Sequence, residues 1–165
     1  MSSMAQLVLM DLTAEFAGTR RMLEQLPVER RDFTPHAKSW PLGQLANHLL
    51  DPPLWGIVTC TTTELAFDAP MPAKADPQSV EEFLAVWDAR VAEFSNVLAA
   101  MTDDSLQETW QATAGGHVVM SMPRIAVLRT MVLNHMIHHR AQLTMYYRLL
   151  DVPVPGLYGP SADER

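Results

Sequence analysis

The chain has 165 residues, of which 48% are hydrophobic and 19% charged, with 12 Lys+Arg against 19 Asp+Glu for a formal net charge of −7. That length and apolar content describe one folded domain and exclude a disordered chain. The acidic balance excludes a nucleic-acid-binding surface, which needs clustered cations. No apolar run reaches the ~20 residues that span a bilayer, so no membrane is expected. The N-terminus lacks the basic and apolar regions of a signal peptide, and one cysteine, Cys60, leaves neither an internal disulfide nor a cysteine-based zinc site. A cytoplasmic location is the expectation.

Twelve prolines divide the sequence, and none occurs from Met1 to Leu26, from Gln78 to Met122 or from Arg124 to Val152. Long helices belong in those windows, because an interior proline costs a helix about 3 kcal/mol. The first window carries Leu7, Val8, Leu12, Phe16, Leu23 and Leu26 at steps near three and four, which predicts a helix over about 4–26. A polar loop follows. A second helix is expected over about 41–64, opened by Pro41 and interrupted by Pro52-Pro53. The stretch from Phe67 to Pro77 reads as a connection. Ser79 reads as the N-cap of a third helix, about 79–101, with Glu81 and Glu82 in its first turn and Phe83, Trp87, Val91, Phe94, Leu98 and Met101 on one face.

Between Thr102 and Met122 the pair Gly115-Gly116 leaves two alternatives, a small hairpin or a long loop. Pro123 opens a fourth helix, about 123–150, and the tail 151–165 is expected to be extended. Four long helices with little strand signal predict an all-α fold, an up-down four-helix bundle in a single domain.

Chemistry concentrates in the last helix. His135 and His139 lie one turn apart on its apolar face, together with Leu128, Val132, Met136, Leu143, Tyr146 and Leu150. A buried imidazole must find partners for its ring nitrogens. From spacing alone two readings stand: hydrogen-bonded core histidines, or an i, i+4 metal-ligand pair. A pairing of His135 with His138 is also geometrically open. His48, set among Leu45, Ala46, Leu49 and Leu50 of the second helix, is the candidate third ligand from a facing element. His36 and His117 fall in loops. Three histidines with open positions favour zinc, nickel or another divalent transition ion. No glutamate follows the first histidine, as it would in a helical zinc protease; Met136 stands there. Asp51 is the weak catalytic candidate, as a base or as a partner for a ligand histidine. Cys60 reads as a small buried hydrophobe, Tyr146 as a core cap and Arg140 as half of a structural ion pair.

Three segments resemble the DinB-like family of damage-inducible four-helix proteins. They are Trp40-Pro41-Leu42-Gly43-Gln44-Leu45-Ala46-Asn47-His48-Leu49, then Leu133-Asn134-His135-Met136-Ile137-His138-His139-Arg140-Ala141-Gln142-Leu143, and Leu149 to Pro160 in the tail. The resemblance implies a four-helix bundle, commonly a homodimer, and a divalent metal held by His48, His135 and His139 with His138 left out. The sequence departs from the family pattern at Ala141, where glycine is common, and at Pro52-Pro53. Related proteins include low-molecular-weight-thiol transferases and isomerases. The leading expectation is therefore a metal-dependent S-transferase that uses a thiol cofactor on a small-molecule electrophile. The alternatives are a metal-dependent hydrolase and a non-enzymatic, stress-related metal-binding protein.

Overall fold

The computed structural model describes residues 3–69 and 75–164. The middle of the expected connection between Phe67 and Pro77, the first two residues and the last residue of the tail lie outside the described residues.

Helix α1 spans Met4–Glu24 and begins with a reciprocal cap: the Ser3 hydroxyl accepts from the Gln6 amide, and the Gln6 side chain accepts from the Ser3 amide. Its buried face, including Leu12, Phe16 and Leu23, packs against α4, Val80–Ala99, which buries Phe83, Trp87, Phe94 and Leu98. Phe16 meets Trp87 edge-on at 5.7 Å and Phe94 at 6.1 Å, the geometry preferred by aromatic quadrupoles. Ser79 caps α4 through the Glu82 amide, as its place before two glutamates predicts.

The second expected helix is two helices, α2 (Leu42–Leu49) and α3 (Asp51–Thr61), meeting at Leu50. The break follows from Pro52 and Pro53, which lack the amides that would continue the α2 ladder but fit the first turn of a new helix. Arg90 of α4 bonds the Leu50 carbonyl at 2.6 Å, tying the junction to the neighbouring helix. Gly56 lets α3 approach α4 closely; a Cβ there would lie 2.4 Å from the Phe94 ring.

The all-α expectation is overturned by a three-stranded sheet in the order β1-β2-β3. After the short α5 (Asp103–Gln107), β2 (Thr109–Ala114) and β3 (His117–Pro123) form an antiparallel hairpin. This settles the Gly115-Gly116 stretch as a turn, with both glycines at positive φ, 57° and 76°. The bundle acquires a parallel partner for β2 in β1 (Glu64–Ala66), running directly on from α3. A three-residue strand is too short to show a period of two, and its register with Gln111–Thr113 spans more than 40 positions of sequence, so neither feature is legible locally. Trp110 and Ala112 point inward onto Val127 and make a small second core under the sheet.

The last rod is continuous but not uniform. It runs through α6 (Arg124–Val127), a π-helical segment (Leu128–Asn134) and α7 (His135–Leu149). A π segment widens the turn and rotates the residues beyond it, and such segments are frequent at functional sites. Here it delivers directly into His135. At its start, buried Arg124 binds the carbonyls of Thr59, Thr62 and Ser105 and the Glu108 carboxylate, tying α3 and α5 to the rod. Further along, buried Arg140 pairs with Glu15 and also bonds Tyr158 of the tail, so its expected role as half of a structural ion pair is the one it fills. Tyr146 donates to the Trp40 carbonyl at 2.8 Å.

Candidate metal centre

Helix α2 packs on α7, and this contact places His48, in the last turn of α2, opposite the first two turns of α7. Ligand nitrogens of His48, His135 and His139 all lie within 4.8 Å of one another. Ring centroids are 4.4 Å apart for His135 and His139, 4.6 Å for His48 and His139 and 5.1 Å for His48 and His135. His139 is buried and the other two are half-buried.

The outer nitrogens are already engaged. His48 Nδ1 faces Asp51 Oδ2 at 3.4 Å, and His139 Nδ1 donates to Gln142 Oε1 at 2.8 Å. Both partners lie three residues further along. An N–H held at Nδ1 turns the Nε2 lone pair inward, the arrangement that outer partners impose on metal-bound histidines. Inward, His48 Nε2 and His135 Nε2 stand 2.8 Å apart. Two such nitrogens need a proton or a cation between them. Zinc–imidazole bonds of 2.0–2.1 Å put two ligands of a tetrahedral ion about 3.3 Å apart, within about half an ångström of this spacing, so the donors present fit a divalent transition ion.

Electrostatics favour the ligand form. The pKa of His135 is pushed down to about 4, chiefly by burial and then by repulsion from His139, His48 and His138, with Asp51 opposing. That of His139 is also lowered, again first by burial, while its bond to Gln142 works the other way. At neutral pH the His135 ring is therefore uncharged, as metal binding requires.

The surroundings include groups that the sequence did not reveal. Trp40 stacks on His139 at 5.7 Å and 16° and meets His48 edge-on at 5.1 Å. Trp55 packs against His135 at 5.1 Å and His48 at 5.4 Å. Arg90 Nη1 reaches Asp51 Oδ1 at 3.4 Å, so buried Asp51 sits between an imidazole and a guanidinium. Gln142, at i+3 from His139, follows a spacing that a reader of helices could have used; Arg90 on a distant helix left no signal.

Of the remaining sequence candidates, His138 neighbours His139 at 4.9 Å but is not among the converging nitrogens. His36 and His117 are exposed and do not belong to the converging group. Cys60 is buried, and burial pushes its thiol up to about 11.

Two clefts reach the cluster. One, of about 510 Å³, is lined by His48 and Asp51 with Asn47, Gln44 and Arg31; the other, of about 430 Å³, by His139 and Gln142 with Lys38, Leu45 and Tyr146. Trp40 borders both and is 41% exposed.

Comparisons with known proteins agree with this architecture. The sequence model of the DinB family matches residues 1–165. The uncharacterised protein YrdA of Bacillus subtilis (strain 168) is 29% identical over 151 residues, covering 91% of this chain and 85% of YrdA. A crystal structure of a DinB-like protein from Bacillus cereus ATCC 10987 superposes with a TM-score of 0.69 at 24% identity, covering 92% of this chain and 95% of that one. A DinB-like protein from Bacillus subtilis, YjoA, gives 0.67 at 13% identity over 96% and 98% of the two chains.

Proposed function

The chain belongs to the DinB family, and on that footing we propose that His48, His135 and His139 hold one divalent transition-metal ion, zinc or nickel, in a centre that transfers a low-molecular-weight thiol to a small electrophile. The observation that carries this reading is the meeting of three inward imidazole nitrogens from two helices beside open clefts. Imidazole is an uncharged ligand, so a divalent ion held by three of them would keep its full charge and would supply the Lewis acidity that ionises a thiol at neutral pH.

The protein's own groups have defined tasks. Asp51 and Gln142 hold the His48 and His139 rings in orientation. Trp40 and Trp55 flank the cluster with apolar surface and limit water around it. Asp51 is held between His48 and Arg90, which favours a positioning role over that of a free general base and weighs against hydrolysis. The two clefts offer a polar thiol an approach lined by Asn47, Gln44 and Arg31 on one side and by Lys38 and Gln142 on the other. A non-enzymatic protein would have little use for such access. Cytoplasmic location and homodimerisation complete the proposal; among the described residues no helix is long and apolar enough to cross a membrane.

The test is titration of metal-free protein with zinc or nickel, then assay with cysteine and a chromogenic electrophile. Metal-dependent turnover above the uncatalysed rate is expected. Stoichiometric metal without any turnover would overturn the transferase reading while leaving the metal site standing.

A further inference from the structure

The two clefts that reach the histidines differ in the charge they have left to offer. The one beside His48 is lined by the carboxylates of Asp32 and Asp51, and its guanidinium, Arg31, is already bound to Gln78 and, at 2.6 Å, to Asp76. The one beside His139 has no carboxylate in its lining. Its cation is Lys38, which makes no ion pair among the described residues.

Gln142 adds to this imbalance for a reason that comes from the cluster itself. With Nε2 of His139 kept for a bound ion, Nδ1 carries the proton. That N–H can be met only by the carbonyl end of the Gln142 amide, whose Oε1 lies at 2.8 Å. The NH2 end is therefore left to donate elsewhere, and Gln142 lines the cleft. The Tyr146 hydroxyl hydrogen, by contrast, is committed to the Trp40 carbonyl at 2.8 Å. An ammonium and an amide are thus the strong donors of this cleft, one from the loop before α2 and one from α7. The loop is pinned beside them, because Trp40, two residues after Lys38, also stacks on His139. Leu45 and Met145 make apolar wall. Donors without a balancing acid, between apolar walls, suit a carboxylate on a short carbon chain.

We propose that this cleft binds a carboxylate of the thiol through Lys38 and the Gln142 amide, so that the thiol is a mercapto-acid and these two residues select it over a neutral thiol. The assignment rests on the transferase reading above. It falls to the thiol because Gln142 is hydrogen-bonded to a ring of the cluster, and the thiol is the molecule whose sulfur reaches the ion in that reading.

The test reads binding before it reads turnover. In metal-free protein, propionate should produce saturable NMR shifts of the Gln142 side-chain amide, with that of Gln107 in α5, which lines neither cleft, unmoved. In cobalt-loaded protein, thiolate-to-metal absorption should show 3-mercaptopropionate binding about tenfold more tightly than 3-mercapto-1-propanol. Gln142→Glu keeps an acceptor for His139 and turns the donor into a repelling charge, so cobalt should be retained and the preference lost. Lys38→Gln should reduce the preference about threefold and Lys38→Arg should keep it. In zinc-loaded protein the same preference should appear in kcat/KM for the thiol, with iodoacetamide as electrophile. No shift at Gln142 overturns the subsite. So does a thiol preference that survives both Gln142→Glu and Lys38→Gln, which would put the carboxylate on the ion itself. A preference for iodoacetate over iodoacetamide, in place of one between the thiols, overturns the assignment to the thiol. Cobalt protein that shows the preference while zinc protein transfers to neither electrophile overturns the transferase reading and leaves the subsite standing.

Discussion

Nε2 of His48 and Nε2 of His135 lie 2.8 Å apart although 87 positions separate them in the sequence. One ring closes a short helix and the other opens a long one, and Asp51 holds the far side of the first. Inward nitrogens with outer partners are an arrangement compatible with a bound cation.

Replacing His135 with Ala removes the imidazole that faces His48. Elemental analysis of the purified variant should show loss of stoichiometric metal. Metal at 100 times its Kd stabilises a folded protein by about 2.7 kcal/mol, so a chelator should lower the melting temperature of the parent protein and leave that of the variant unchanged. Equal metal content in both proteins would remove His135 from the site.

Asp51→Asn keeps the size of the side chain but withdraws the charge between His48 and Arg90. Metal affinity measured by competition with a chromophoric chelator should fall roughly 10- to 100-fold, the usual cost of losing an outer partner. An unchanged affinity would show that Asp51 does not orient His48.

Cys60 is expected to be inert in the folded protein. Burial pushes its thiol up to about 11 from an ordinary 9, and reactivity requires the thiolate. Alkylation by iodoacetamide at pH 8 should be slow until denaturant is added. Because folding raises this pKa, the associated stability is fully present below about pH 9 and is lost as the pH rises through 11. Rapid modification of native protein at pH 8 would contradict the burial.

Gly56→Ala places a methyl group 2.4 Å from the Phe94 ring. The contact lies between α3 and α4, behind the segment that carries Asp51 and Trp55. Urea unfolding should report destabilisation of about 1–3 kcal/mol, the cost of overpacking a dense core. A neutral result would mean that α3 can move away from Phe94 without loss.

Period and punctuation made much of this protein readable from its residues. Proline-free windows with apolar steps of three and four mark the long helices, because an amphipathic helix must bury one face whatever it packs against. Ser79 before two glutamates marks a helix start for reasons local to one turn. The pairing of His135 with His139 is a property of helical pitch, and the apolar neighbours of His48 already turn it inward. The sheet belongs to another level. Three residues at Glu64–Ala66 have no period of their own and become a strand only beside Gln111–Thr113, so short-range signals alone lead to an all-α expectation. The two tryptophans against the histidines, the hold of Arg90 on Asp51 and the cleft that joins Lys38 to Gln142 likewise arise where distant segments meet. Local sequence dictates which face of each rod is buried; only packing decides which buried groups touch, because a contact between remote positions depends on the registry of whole elements.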